Sequence, residues 1–112
     1  MRIYIAGPMT GIPLLNFPKF HEVAAALRAA GHDAVNPAEI NPDPHAEWTA
    51  CMFRDLQELS TCDGIVMLPG WESSPGAQIE RLWAVRTGKT VFCATKLQEV
   101  PAACSSAYGQ CE

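Results

Sequence analysis

The chain of 112 residues has room for one domain and little for a second. Its 48% hydrophobic and 18% charged residues are an ordinary globular composition, enough to bury a core without disulfides or metals. A net charge of −4 and a pI of about 5.3 argue against a nucleic-acid polymer as partner, because a phosphate backbone is met by a basic face. A single nucleotide is not excluded, since a few backbone N–H groups can hold one.

No apolar run approaches the length of a membrane span, and Met1 to Gly7 reads as a strand, not a signal peptide. The five cysteines (Cys51, Cys62, Cys93, Cys104 and Cys111) are odd in number and have no C-x-x-C spacing. Cys51 and Cys62 fall within predicted elements and read as reduced thiols, which points to the cytoplasm. No metal or cofactor is expected.

In chain order, Arg2 to Ala6 predicts a short strand closed by Gly7-Pro8. Asn16 to Ala30 predicts a helix: Asn16 is placed to cap it, Pro18 lies in its first turn, and Phe20, Val23, Ala24 and Leu27 recur at helical spacing. Gly31 ends it. Asp33 to Asn36 predicts a second strand, and three prolines make Pro37 to Glu47 a loop. Trp48 to Ser60 predicts a helix, and Gly64 to Leu68 a strand buried on both faces. Pro69 to Pro75 is a loop, Gly76 to Thr87 a helix and Thr90 to Ala94 a last strand. The alternation predicts an α/β architecture: a three-layer flavodoxin-like or Rossmann-like fold with a parallel sheet of roughly four to five strands. Residues 1–94 form the domain, and residues 95–112 an arm or a partly disordered tail. Ligands of such sheets sit beyond the carboxyl ends of the strands, where the loops 7–15, 37–47 and 69–75 gather.

Two carboxylates stand out. At about 100° per residue, Trp48, Cys51, Met52 and Leu59 project within about 60° of Asp55, so this acid lies in the middle of an apolar stripe. On the next helix Gly76, Ala77, Trp83 and Ala84 flank Glu80 in the same way. An unpaired buried carboxylate is costly, so each needs either a structural ion pair or a function. Two acids about 5 Å apart suit a retaining glycosidic mechanism. His21, His32 and His45 are scattered over a helix face, a turn and a loop, and read as solvated.

Tyr4-Ile5-Ala6-Gly7-Pro8-Met9 resembles the opening strand and glycine turn of the nucleoside 2-deoxyribosyltransferase-like family, which includes deoxynucleoside monophosphate N-glycosidases. Asp55-Leu56 is similar to the family's acidic helix position. Cys62-Asp63-Gly64-Ile65-Val66 is similar to its small-Asp-apolar strand, and Ser74-Pro75-Gly76-Ala77-Gln78-Ile79-Glu80 to its Ser-x-Gly-x-x-x-Glu segment. The chain also resembles small phage-borne relatives. The resemblance covers residues 2–94.

The resemblance implies N-glycosidic cleavage or transfer on a nucleoside or a nucleoside 5′-monophosphate. Glu80 would be the nucleophile, Asp55 the acid/base and Tyr4 the group orienting Glu80, unless Tyr4 is only a core aromatic. Gly7, Pro8 and Met9 would approach the substrate, though Gly7 also reads as a plain tight turn. Ser74 and Gly76 would hold a 5′-hydroxyl or 5′-phosphate, though Ser74 also reads as an N-cap. Asp63 is a site candidate, though its position reads first as the end of a helix turn and the start of a strand, and Trp71 either stacks on a base or anchors its loop. Phosphate-handling members carry an Arg in the first glycine turn, and Gly7-Pro8-Met9-Thr10-Gly11 has none. The expected partners are a small nucleoside or nucleotide and, by resemblance, further copies of the chain in a homodimer or higher homo-oligomer. A non-catalytic nucleotide-binding module and a phage-type interaction protein on the same fold are the alternatives.

Overall fold

The structure, a computed structural model, describes residues 1–95. They form β1 (Arg2–Ala6), α1 (Phe17–Ala29), β2 (Asp33–Val35), α2 (Pro37–Ile40), α3 (Trp48–Leu59), β3 (Gly64–Met67), α4 (Pro75–Arg86) and β4 (Thr90–Cys93), with single 3₁₀ turns at Pro13–Asn16 and Trp71–Ser73. The strands make one parallel sheet in the order β2-β1-β3-β4. This is the flavodoxin-like order, and its direction reverses between β1 and β3. The expected strands and long helices are present, with ends shifted by one residue or so. The expected arm lies outside the described residues beyond Thr95.

Alternation along the strands divides the core in two. Ile3, Ile5, Val66, Leu68 and Phe92 face one way and pack with Phe20, Val23, Ala24 and Leu27 of α1. Tyr4, Ala6, Ile65, Met67 and Val91 face the other way, against Leu59 of α3 and Ala77 and Ala84 of α4. The result is the expected three layers, with both acid-bearing helices on the face to which Tyr4 points.

Three local expectations need correction. The segment from Pro37 is not all loop: Asn36 Oδ1 accepts the Ala38 N–H at 3.0 Å, and the one-turn α2 follows. Proline in a first helical turn starts a helix as readily as it breaks one. Asn16 occupies the N-cap position of α1 but makes no cap; its Nδ2 donates to the Pro8 carbonyl at 3.0 Å. His32 is buried and not solvated, and burial lowers its pKa. Cys51 and Cys62 are free thiols. Among the described residues no helix is long and apolar enough to cross a membrane.

Gly7 earns its place by packing and not by a special turn: a Cβ there would lie 2.6 Å from Leu68 Cβ. That atom is held close to the β3 backbone and cannot swing aside. Gly7→Ala is expected to destabilise the protein by about 1–3 kcal/mol through overpacking. Urea unfolding measures the loss, and an unchanged midpoint would refute this account of the glycine.

Candidate active site

The carboxyl ends of β1 and β3 open onto a cavity of about 200 Å³. Gly7, Met9 and Thr10 border it after β1, Asn41 and Asp43 after α2, and Ser74, Gly76 and Ala77 after β3. Trp48, Met52 and Asp55 of α3 and Glu80 of α4 complete the wall. The cavity lies where the strand order reverses, which is where ligands bind in open α/β sheets.

Glu80 is 5% exposed and Asp55 7% exposed. The phenol of fully buried Tyr4 donates to Glu80 Oε2 at 2.5 Å. Asn41 Nδ2 donates to Asp55 Oδ1 at 2.8 Å, and Arg54 Nε donates to Asn41 Oδ1 at 2.7 Å. Each acid thus has one neutral donor supplied by a different element. The ion pairs of Arg2 with Asp33 and Glu58, of Lys19 with Glu22 and of Arg28 with Glu39 involve neither acid.

Burial raises both acids. Glu80 is pushed up to about 8, by desolvation first and by the Asp55 charge in addition, while the Tyr4 hydrogen bond opposes the rise. Asp55 is pushed up to about 6 by desolvation, opposed by the Asn41 hydrogen bond, the Arg54 charge and Tyr4. Tyr4 is raised well above its ordinary value by burial and by both carboxylates. The Asp55 charge raises Glu80, so the two titrate as a coupled pair. The pair holds one proton near neutral pH.

The structure brings most of the expected site residues together. Glu80, Asp55, Gly7, Met9, Ser74 and Gly76 all line the cavity, and Tyr4 reaches it through Glu80. Ser74 Oγ also accepts the Ala77 N–H at 3.3 Å, so its N-cap reading holds as well. Gly76 lets α4 come close to α3, since a Cβ there would meet Met52 Sδ at 3.2 Å. Pro8 is buried beside the cavity but does not line it.

Asp63 is not brought to this site. It precedes β3 at the opposite edge of the sheet, accepts the Arg2 N–H at 2.9 Å and borders a separate depression with Lys89 and Thr90. Trp71 anchors its loop: it packs on the core, and the Arg81 guanidinium lies 5.1 Å from its ring centre. Asn41, Asp43 and Trp48 are site residues that helical arithmetic did not assign a role. Among the described residues no cluster of His, Cys, Asp and Glu could hold a metal ion.

The chain has the fold of two solved 2-deoxyribosyltransferases and a CMP N-glycosidase. A 2-deoxyribosyltransferase from Bacillus psychrosaccharolyticus is similar at 22% identity and a TM-score of 0.65, over 83% of this chain and 71% of that one. A 2-deoxyribosyltransferase from Leishmania mexicana is similar at 21% identity and a TM-score of 0.65, over 82% of this chain and 62% of that one. A CMP N-glycosidase from Clostridium botulinum is similar at 19% identity and a TM-score of 0.57, over 83% of this chain and 67% of that one. The chain thus spans under two thirds of the Leishmania enzyme. No curated protein matches in sequence. Residues 1–93 match the family described as Domain of unknown function (DUF4406), and the chain belongs to that family.

The raised carboxyl of Glu80 has a consequence for stability. Its pKa is about 8 folded against an ordinary 4.5, so the folded state holds this proton more tightly than the unfolded state does. The stabilising protonation is complete below about pH 4.5 and is lost as pH rises through about 8. Glu80→Gln cannot ionise, yet still offers Tyr4 an acceptor. It is expected to exceed the wild type in stability by ~2 kcal/mol at about pH 9, with little difference near pH 4. Urea unfolding at both pH values checks this; a gap independent of pH contradicts the assignment.

Proposed function

We propose that this protein cleaves or transfers the N-glycosidic bond of a nucleoside by a retaining two-carboxylate mechanism. The observation that carries the reading is the convergence of Asp55 and the Tyr4-bound Glu80 on one cavity at the reversal point of the sheet. The fold's likeness to two deoxyribosyltransferases and a CMP N-glycosidase supports the same class of reaction.

In the first step a Glu80 oxygen attacks the anomeric carbon, and the bond from that carbon to the base nitrogen breaks. The base leaves with a proton from Asp55, and a glycosyl ester of Glu80 remains. In the second step Asp55 takes a proton from water, or from an incoming base, which attacks the same carbon and frees Glu80. The reacting state carries the pair's one proton on Asp55 with Glu80 charged; the empty site favours it on Glu80, about 8 against about 6 for Asp55, so substrate binding must move it. The Tyr4 hydrogen bond favours that charge on Glu80.

The rest of the cavity suits a nucleoside. The indole of Trp48, half exposed on its rim, offers a face for a base. Ser74 and Thr10 offer neutral groups for a 5′-hydroxyl. Asp43, Asp55 and Glu80 are the titratable oxygen acids of the lining, and among the described lining residues there is no Lys, Arg or His. A 5′-phosphate would meet like charge there, at a cost of several kcal/mol. Large apolar side chains exposed on α3 and α4, among them Phe53, Leu82 and Trp83, support the expected self-association.

Base release from a panel of nucleosides and their monophosphates, followed by chromatography, tests the reading. Wild type is expected to turn over nucleosides at least ~10-fold more efficiently than the matching monophosphates, given the like-charge penalty. Glu80→Gln is expected to lose at least ~1,000-fold, as removal of a covalent nucleophile does. Ligand-induced thermal stabilisation without product, in wild type and Glu80→Gln alike, would identify a binding module instead.

The coupled acids also predict a bell-shaped pH profile. The productive pair carries one proton, so kcat/KM is expected to fall below about 6, where both acids are protonated, and above about 8, where neither is. A flat profile across this window would contradict the shared-proton account.

A further inference from the structure

Asp55 has a support that the proposed mechanism leaves unused, and the inference here rests on the reading of Asp55 as the acid/base. Arg54 follows the wrong face of α3 to enter the cavity; it is exposed and does not line it. Its Nε nevertheless donates to Asn41 Oδ1 at 2.7 Å, and Asn41 Nδ2 donates onward to Asp55 Oδ1 at 2.8 Å. We propose that Arg54 is a positioning residue which, through the Asn41 amide, fixes the Asp55 oxygen that carries the transferred proton.

Donors and acceptors decide how the amide lies. A guanidinium donates and never accepts. An amide has one accepting oxygen and one donating nitrogen, and its two orientations differ only in which faces which neighbour. With Arg54 on one side, the Asn41 oxygen must turn toward it, and the NH₂ is then presented to Asp55. In the reverse orientation the amide oxygen would confront the carboxylate, and the NH₂ would confront the guanidinium. Asp55 Oδ1, occupied by the amide N–H, becomes the accepting oxygen of the carboxyl, which leaves Oδ2 for the proton. Because Asp55 is 7% exposed, water does not replace a lost partner cheaply.

Tyr4 from β1 also acts on Asp55, Glu80 from α4 is itself raised by the Asp55 charge, and Asp43 and Cys51 line the same cavity. None of them is an amide whose orientation a cation could set. Both the Asn41 bond and the Arg54 charge oppose the upward pull of burial on Asp55.

The test is a carboxyl ¹³C titration of the full chain, with the Asp55 resonance assigned by Asp55→Asn. Arg54→Leu is expected to raise the Asp55 midpoint by about half a pH unit, the scale of an exposed charge acting through one amide. Arg54→Lys, which keeps a cationic donor, should restore most of the shift. In an Asn41→Ala background, or Asn41→Ser if the alanine variant does not fold, Arg54→Leu should move the midpoint less than half as far. The acid limb of kcat/KM should follow the same order. An equal shift with and without Asn41 makes Arg54 a distant charge and overturns the proposal, as does no shift in Arg54→Leu. A protein inactive on every nucleoside that keeps this titration pattern supports the relay and removes the glycosidic reading alone.

Discussion

The hydrogen bond from Tyr4 to Glu80 is the constraint on which the site depends. A carboxylate 5% exposed within an α/β core is an expensive group, and the short donation from a fully buried phenol offsets part of that cost. It forms only because β1 is a central strand, with Tyr4 on the face that α4 covers. Gly7 and Gly76 serve the same end. One lets the chain leaving β1 pass close to Leu68, and the other lets α4 settle against Met52.

The two acids are held by different means, and this gives the pair its asymmetry. Glu80 receives a phenol O–H from the core, while Asp55 receives an amide N–H from the loop after α2. Burial dominates both; the rise of Asp55 is opposed by the Asn41 hydrogen bond and then by the Arg54 charge, whereas Glu80 is raised further by the Asp55 charge, so Asp55 lies at about 6 against about 8 for Glu80. A pair of this kind carries one proton over the neutral range, and its location responds to whatever enters the cavity. A base nitrogen accepting from Asp55 would favour the arrangement with Glu80 charged, so binding and activation are linked through a single proton.

Much of this was legible in the sequence because helical geometry is local. The 100° arithmetic placed Asp55 and Glu80 on buried faces, and both are buried. Trp48 and Cys51, on the same stripe as Asp55, are only partly covered because that stripe continues into an open cavity. The order of strands and helices was likewise enough for the parallel sheet and for the edge at which ligands gather. What was hidden depends on long-range contact. Asn41 meets Asp55 across 14 residues, from a segment whose prolines concealed the one-turn α2. Asp63 resembled a site residue by its neighbours in the chain, yet a strand has two ends and it stands at the other one. His32 looked polar and solvent-facing in a turn, but the turn folds inward between α1 and β2.

The distribution of roles between helices and loops bears on what varies within this fold. Both acids project from helices packed on the sheet, and Tyr4 from a central strand, so their mutual geometry is fixed by the core. Met9, Thr10, Asn41, Asp43 and Ser74 come instead from segments that connect elements and carry little of the packing. Leu14, Leu15 and Asn16, in one such segment, all have positive φ (56°, 53° and 61°), a strained run for residues with a Cβ. Asn16 helps to hold it through its bond to Pro8, and Leu15 from this run faces the cavity. Strain concentrated in a connecting segment at the cavity wall, beside acids anchored in a regular core, separates the part of the site that would do chemistry from the part that would choose the substrate.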